Sequence, residues 1–229
     1  MQSITEIFKN NPYPGRGIIL GQSDSARPIA VYFIMGRSEN SRNRVFVPTD
    51  DGIKTEAFDP AKLTDPSLVI YHPVRRFGDA LIVTNGDQTD TICDFLTAGK
   101  KFHGAMMSRV FEPDPPIFTP RISGIVRRGG AYTLAIVKNI GGASEVPAHQ
   151  FFEYSAPQPG VGHLLHTYSG GTRPDGSLES FTGEPVPVAL GGTIAQIAQR
   201  VWDALDADNR VSLWATDGAD AVIINKYER

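Results

Sequence analysis

The chain is expected to fold as α+β, with mostly antiparallel sheets and helices packed on their outer faces. Two patterns in the sequence predict this. Short apolar or alternating runs recur between turn signals, as strands do, and only two long segments carry helical spacing, 91–109 and 193–205. The length adds a third observation: 229 residues fit one substantial domain, 1–229, that buries roughly 70–75% of its unfolded surface.

Residues 1–10 read as a short helix stopped by Asn10-Asn11-Pro12. Gly17–Gly21 and Ile29–Met35 read as successive strands, and Arg44–Val47 and Leu68–Tyr71 as two more. Asp79–Thr84 is a strand that ends on Asn85-Gly86, a turn pair, since Gly tolerates positive φ and Asn nearly so. Thr89, Asp90 and Thr91 behind that turn are residues that cap helices, and the segment from Thr91 to Arg109 is predicted helical despite Gly99 and Gly104. Residues 111–120, with four prolines, read as an extended connector. Ile122–Val126 and Tyr132–Val137 form a hairpin across Gly129-Gly130, followed by strands at Phe151–Tyr154, Gly162–Tyr168 and Val186–Leu190. Thr193 caps the clearest helix, whose apolar face is Ile194, Ile197, Ala198, Val201 and Leu205, and strands at Val211–Ala215 and Ala219–Asn225 close the chain.

Composition excludes several classes of function. A formal charge of −3 argues against a nucleic-acid partner. No apolar run approaches the roughly 20 residues that span a bilayer, so no membrane partner is expected. Cys93 alone makes an internal disulfide impossible and fits a reducing cytoplasm; it reads as a small buried residue. The N-terminus shows neither the basic nor the apolar region of a signal peptide, so a cytoplasmic protein is expected. With no H-E-x-x-H and no Cys/His cluster, no metal site is expected.

Three elements carry chemistry: Arg37-Ser38 with Asn43-Arg44, Thr84-Asn85-Gly86 with Thr89-Asp90-Thr91-Ile92, and Thr119-Pro120-Arg121-Ile122. In this order and at similar separation, they resemble the archaeal-type IMP cyclohydrolase family, most specifically over residues 13–126. The resemblance implies a four-layer α/β/β/α sandwich like that of N-terminal nucleophile (Ntn) hydrolases. It also implies a homo-oligomer that closes a formamido-imidazole carboxamide ribonucleotide (FAICAR) to IMP and water, without a cofactor. Met1 followed by Gln2 departs from the processed Cys, Ser or Thr that those hydrolases expose.

Arginine suits phosphate and oxyanion because its planar fork stays protonated. The resemblance thus points to Arg37, Arg44 and Arg121 as substrate ligands, with Arg42 a candidate because extra residues precede Asn43-Arg44. Tyr71 is expected to donate to an oxyanion or relay a proton, and Asn85 to orient an amide or formyl group. Asp90 is either a proton acceptor or a plain N-cap carboxylate. Thr89 and Thr91 are expected to bind substrate beside that turn. His72 is a reserve proton shuttle or a surface histidine. The stretches 170–173 and 181–185 read equally as a covering loop or a hairpin connection. Two rival readings stay open: an Ntn-fold amidohydrolase on another amide, and a purine-nucleotide-binding module without catalysis.

Overall fold

Strand register in the computed structural model, which describes residues 1, 3–141, 144–173 and 176–228, assembles two antiparallel sheets. Strands are numbered in chain order. The first sheet runs Val186–Ala189 (β13), Val161–His166 (β10), Arg16–Gln22 (β1), Pro28–Met35 (β2), Arg210–Thr216 (β14), Ala221–Asn225 (β15). The second runs Arg44–Thr49 (β3), Gly52–Ala57 (β4), Val74–Phe77 (β5), Ala80–Thr84 (β6), Arg121–Val126 (β7), Tyr132–Asn139 (β8), Pro147–Tyr154 (β9). Tyr168–Thr172 (β11) and Leu178–Ser180 (β12) form a separate ribbon. The protein is therefore mixed α/β, mostly antiparallel, with few helices.

The continuous apolar run in β2 has a direct physical reason: the strand is buried on both faces. Ala30, Tyr32 and Ile34 pack with Phe46, Val74, Val83 and Leu134 of the second sheet. Their neighbours Val31, Phe33 and Met35 pack with Ile7 and Phe8 of Ile4–Asn10 (α1) and with Ile197 and Val201 of Ile194–Ala204 (α5). On the second sheet, Ile82, Ile125, Ala135 and Val137 pack with Ile92 of Gln88–Thr97 (α3) and with Phe102 and Met106 of Phe102–Met107 (α4).

Several expected elements change form. The helix expected over 91–109 starts three residues earlier, at Gln88, and is two helices. Gly99 at φ 70° closes α3: its N–H bonds Leu96 O at 3.0 Å and the Lys100 N–H bonds Phe95 O at 2.8 Å, the paired bonds of a Schellman end. Leu68–Tyr71 is a turn rather than a strand, because Asp65 Oδ1 accepts from the Ser67 N–H at 2.8 Å and Pro66 O from Val69 and Ile70. The strand expected over 162–168 breaks between β10 and β11, and β11 pairs with β12 as a ribbon, the hairpin alternative for 170–173. The strands β4 and β5 and the short helix Glu39–Arg42 (α2) were not anticipated, and β9 begins at Pro147, earlier than expected. Gln2, on which the reading of the N-terminus leaned, lies outside the described residues. Among the described residues no helix is long and apolar enough to cross a membrane.

Candidate active site

The first motif folds as a tight loop that delivers one arginine inward. Ser38 caps α2: its Oγ accepts from the Ser41 N–H at 3.2 Å, while Ser41 Oγ accepts from the Ser38 N–H at 2.9 Å. Gly36 is needed beneath the helix, since a Cβ there would lie 2.7 Å from the Ser41 carbonyl carbon and oxygen. Ser41 O in turn accepts from Arg44 Nε at 2.8 Å, and Arg44 is completely buried at the start of β3. Arg42 turns the other way, donating to Gly36 O at 2.9 Å and to Asn209 Oδ1 at 2.8 Å. Arg37 is exposed, its guanidinium 5.0 Å from the centre of the Tyr13 ring.

Tyr71 is held by β4. The Thr55 N–H donates to Tyr71 O at 2.9 Å and the Tyr71 N–H to Thr55 Oγ1 at 2.8 Å, so the residue docks without being a strand. Its hydroxyl lies 2.9 Å from that of Tyr32, a fully buried residue of β2. Burial first, and Tyr71 next to it, push the Tyr32 phenol well above its usual value, so it stays protonated.

Beside these phenols lies Arg16, and next to Arg16 lies Glu112. Glu112 is 1% exposed, its Oε2 is 4.0 Å from Arg16 Nη2, and its Oε1 would lie 3.4 Å from a Cβ placed on Gly86, so it also abuts the second motif. Burial is the main cause that raises its carboxyl to about 7, against the pull of Arg16 and Arg121. Burial lowers Arg44 as well, with the like charge of Arg16 adding to it. Among the described residues, Arg44 Nη1 and Nη2, Arg16 Nε and Glu112 Oε2 are buried without a hydrogen-bond partner. Buried polar atoms are nearly always paired, and an unpaired charged group is costly. Four such atoms on three neighbouring side chains concentrate unmet polar groups at one place.

The second and third motifs weld to each other instead. Asn85 Nδ2 donates to Pro120 O at 2.8 Å, and Asn85 Oδ1 accepts from the Ile122 N–H at 2.9 Å and from Gln88 Nε2 at 2.9 Å. Arg121 Nη1 donates to Asp87 Oδ1 at 2.7 Å and to Gln88 Oε1 at 2.8 Å. Although burial acts the other way, Arg121 and Arg109 hold the Asp87 carboxyl below the usual range. Thr89 Oγ1 sits 2.6 Å from Thr84 Oγ1, buried beneath the turn. Asp90 is exposed and accepts from Arg75 Nη1 at 3.1 Å, and Thr91 Oγ1 accepts from Arg109 Nη1 at 3.3 Å, both away from the cluster. From Thr119, Oγ1 donates to Asp114 Oδ2 at 2.5 Å and lies 2.8 Å from the Tyr168 hydroxyl. Asn85→Ala is expected to lower the unfolding free energy by about 3 kcal/mol, since it strands a buried N–H and a buried carbonyl. Urea unfolding measures this, and a loss below about 1 kcal/mol would contradict the weld.

Of the residues expected from sequence, Arg44 and Tyr71 enter the buried cluster. Asn85, Thr89 and Arg121 brace the turn beside it, and Arg37, Arg42, Asp90 and Thr91 lie outside. Sequence reading missed Arg16, Tyr32 and Glu112. Tyr32 and Arg16 are hidden in strands, while Glu112 carried one signal: with Asp114 it is one of two carboxylates in a Pro-rich stretch just before the third motif. No group of His, Cys, Asp or Glu among the described residues has metal-holding geometry.

Comparison with known proteins bears on this arrangement. A family model described as IMP cyclohydrolase-like protein matches residues 13–220. The IMP cyclohydrolase of Methanopyrus kandleri is 32% identical over 159 residues, covering 68% of this chain and 75% of that protein. That of Methanococcus maripaludis strain C7 is 31% identical over 134 residues, 56% of this chain and 64% of its own length. That of Methanococcus aeolicus is 24% identical over 159 residues, 68% of this chain and 74% of its own. Three ordered motifs, the weld between the second and third, and the match over 13–220 agree: the chain belongs to the IMP cyclohydrolase-like family.

Proposed function

We propose that the protein closes FAICAR to IMP with loss of water, the last step of purine-ring synthesis. The observation that carries this reading is the buried group of unpartnered atoms on Arg44, Arg16 and Glu112 beside the Tyr71 hydroxyl. Both reacting groups belong to one substrate, so the chemistry asks for orientation, oxyanion stabilisation and proton movement. In this reading the Arg44 N–H groups receive the formyl oxygen, which becomes an alkoxide when the carboxamide nitrogen attacks. Glu112 as carboxylate takes the proton released from that nitrogen and passes it to the alkoxide, then moves the proton of the former formamide N–H to the resulting hydroxyl, which leaves as water as the C=N bond forms. A carboxyl near 7 suits both transfers. Tyr71, braced by Tyr32 and Thr55, donates to the same oxygen, and Arg16 steadies the ionised Glu112.

The same reading extends to the architecture. Helices α1 and α5 against one sheet, and α3 and α4 against the other, support a four-layer α/β/β/α sandwich like that of Ntn hydrolases. Family likeness supports a homo-oligomer in the cytoplasm acting on a purine ribonucleotide, which light scattering and fractionation test.

Purified protein mixed with FAICAR should form IMP, read by ultraviolet absorbance. Tyr71→Phe is expected to lower kcat by about 10²-fold, and Asp90→Asn to leave it within about twofold. Equal loss in both would move the chemistry to the outer turn of α3. A protein that binds IMP yet leaves FAICAR at its uncatalysed rate would be a purine-nucleotide-binding module.

A further inference from the structure

Lys138 lies near the end of β8, two residues on from Ile136 and so on the face where Tyr132, Leu134 and Ile136 meet the first sheet. It is 7% exposed, and its Nζ donates to Phe181 O at 2.6 Å. Among the described residues no carboxylate pairs with this ammonium, and burial holds it below its ordinary value. A buried lysine with a neutral partner alone is an uncompensated cation. It borders a cavity of about 470 Å³, whose other polar lining is Asn139, Arg173, Glu179, Ser180 and Thr182. Among the described residues two cations and one carboxylate line it, a net positive lining.

The cavity adjoins the buried cluster through a short chain of contacts. The Phe181 N–H donates to Thr167 O at 2.9 Å, and Thr167 Oγ1 accepts from the Arg16 N–H at 3.1 Å. The Phe181 ring also meets His166 edge-on at 4.6 Å, and burial lowers that histidine to about 4 and keeps it neutral. His166 therefore adds no charge to balance an anion, and Lys138 and Arg173 remain the local cations.

We propose that this cavity binds the phosphate group of a phosphomonoester, held by Lys138 and Arg173 with the Ser180 and Thr182 hydroxyls as further donors. A phosphate presents oxygens in several directions, which fits an ammonium, a guanidinium fork and two rotatable hydroxyls on different strands and loops. The volume exceeds what a bare phosphate fills and leaves room for part of an organic body. That body is either the ribonucleotide whose base occupies the Arg44–Glu112 cluster, or a separate phosphorylated molecule. The first source rests on the ring-closure reading; the site itself does not.

Calorimetric titration with inorganic phosphate tests the site. Wild type should bind it, and both Lys138→Met and Arg173→Gln should weaken binding about 10-fold or more, the scale of one charge-assisted hydrogen bond. Arg173 directly follows β11 and is half-buried, so its variant reads the site even if Lys138→Met fails to fold. Titrations with IMP and with inosine separate the sources. Competition between IMP and phosphate, with Lys138→Met weakening IMP but not inosine, identifies the nucleotide's own phosphate. Simultaneous binding of IMP and phosphate identifies a separate ligand. No phosphate binding by wild type, or wild-type binding by folded Lys138→Met and Arg173→Gln, overturns the proposal. Phosphate binding without turnover of FAICAR would sink the ring-closure reading and leave this site standing.

Discussion

Replacing Arg44 with methionine is expected to cut kcat for ring closure by about 10²–10³-fold, the usual cost of losing an oxyanion donor. The same change should leave the protein as stable as wild type, or more stable. Arg44 is fully buried, its Nη1 and Nη2 have no partner, and burial with the nearby Arg16 charge already pulls it down. An apolar side chain of similar length removes that uncompensated charge, a replacement that is often neutral or stabilising by about 1–4 kcal/mol. The one bond forfeited is the 2.8 Å contact to Ser41 O. Rates and urea unfolding of the same preparation check both halves. A variant that is inactive and more than about 2 kcal/mol less stable would make Arg44 a structural residue holding the α2 loop.

Glu112→Gln is expected to lower the rate by about 10²–10⁴-fold, the range for loss of a positioned general acid–base. It should also remove an inflection near neutral pH from the kcat/KM profile, because the carboxyl of the free protein titrates at about 7. Stability has a matching sign. The folded carboxyl is raised above its ordinary 4.5, so the folded state binds this proton more tightly than the unfolded one. The stability it contributes is full below about 4.5 and is lost as pH rises through about 7. The loss amounts to about 3 kcal/mol at most. The glutamine variant should be flat across that window. Unfolding followed from pH 4 to 8 would contradict this if both proteins showed the same slope.

The sequence made the frame legible where burial and period agree. Val31, Phe33 and Met35 alternate with Ala30, Tyr32 and Ile34 because β2 is covered on both faces, and Thr193 with Gln196 closes a capping box at the start of α5. It misread places where a single bond decides. Leu68–Tyr71 has strand composition, yet the Asp65–Ser67 turn bends it and Thr55 docks it through Val69 O and Tyr71 alone. Helix periodicity runs through Gly99, but its left-handed backbone ends α3. The site was half legible for a similar reason. Motif residues mark where chain segments meet, and Asn85, Thr89 and Arg121 serve the joint, with their polar atoms turned on each other. Arg44 of the first motif and Tyr71, between the first motif and the second, instead turn toward Tyr32 of β2. Glu112, Arg16 and Tyr32 come from a connector and two strands, and only folding shows that they converge.

The most direct test of the account is a crystal structure of the protein with IMP bound. The account predicts the purine ring between the two sheets, with a ring oxygen or nitrogen within hydrogen-bond distance of Arg44 Nη1 or Nη2 and of Glu112. IMP seated elsewhere, with the Arg44 guanidinium still lacking a ligand partner, would contradict it.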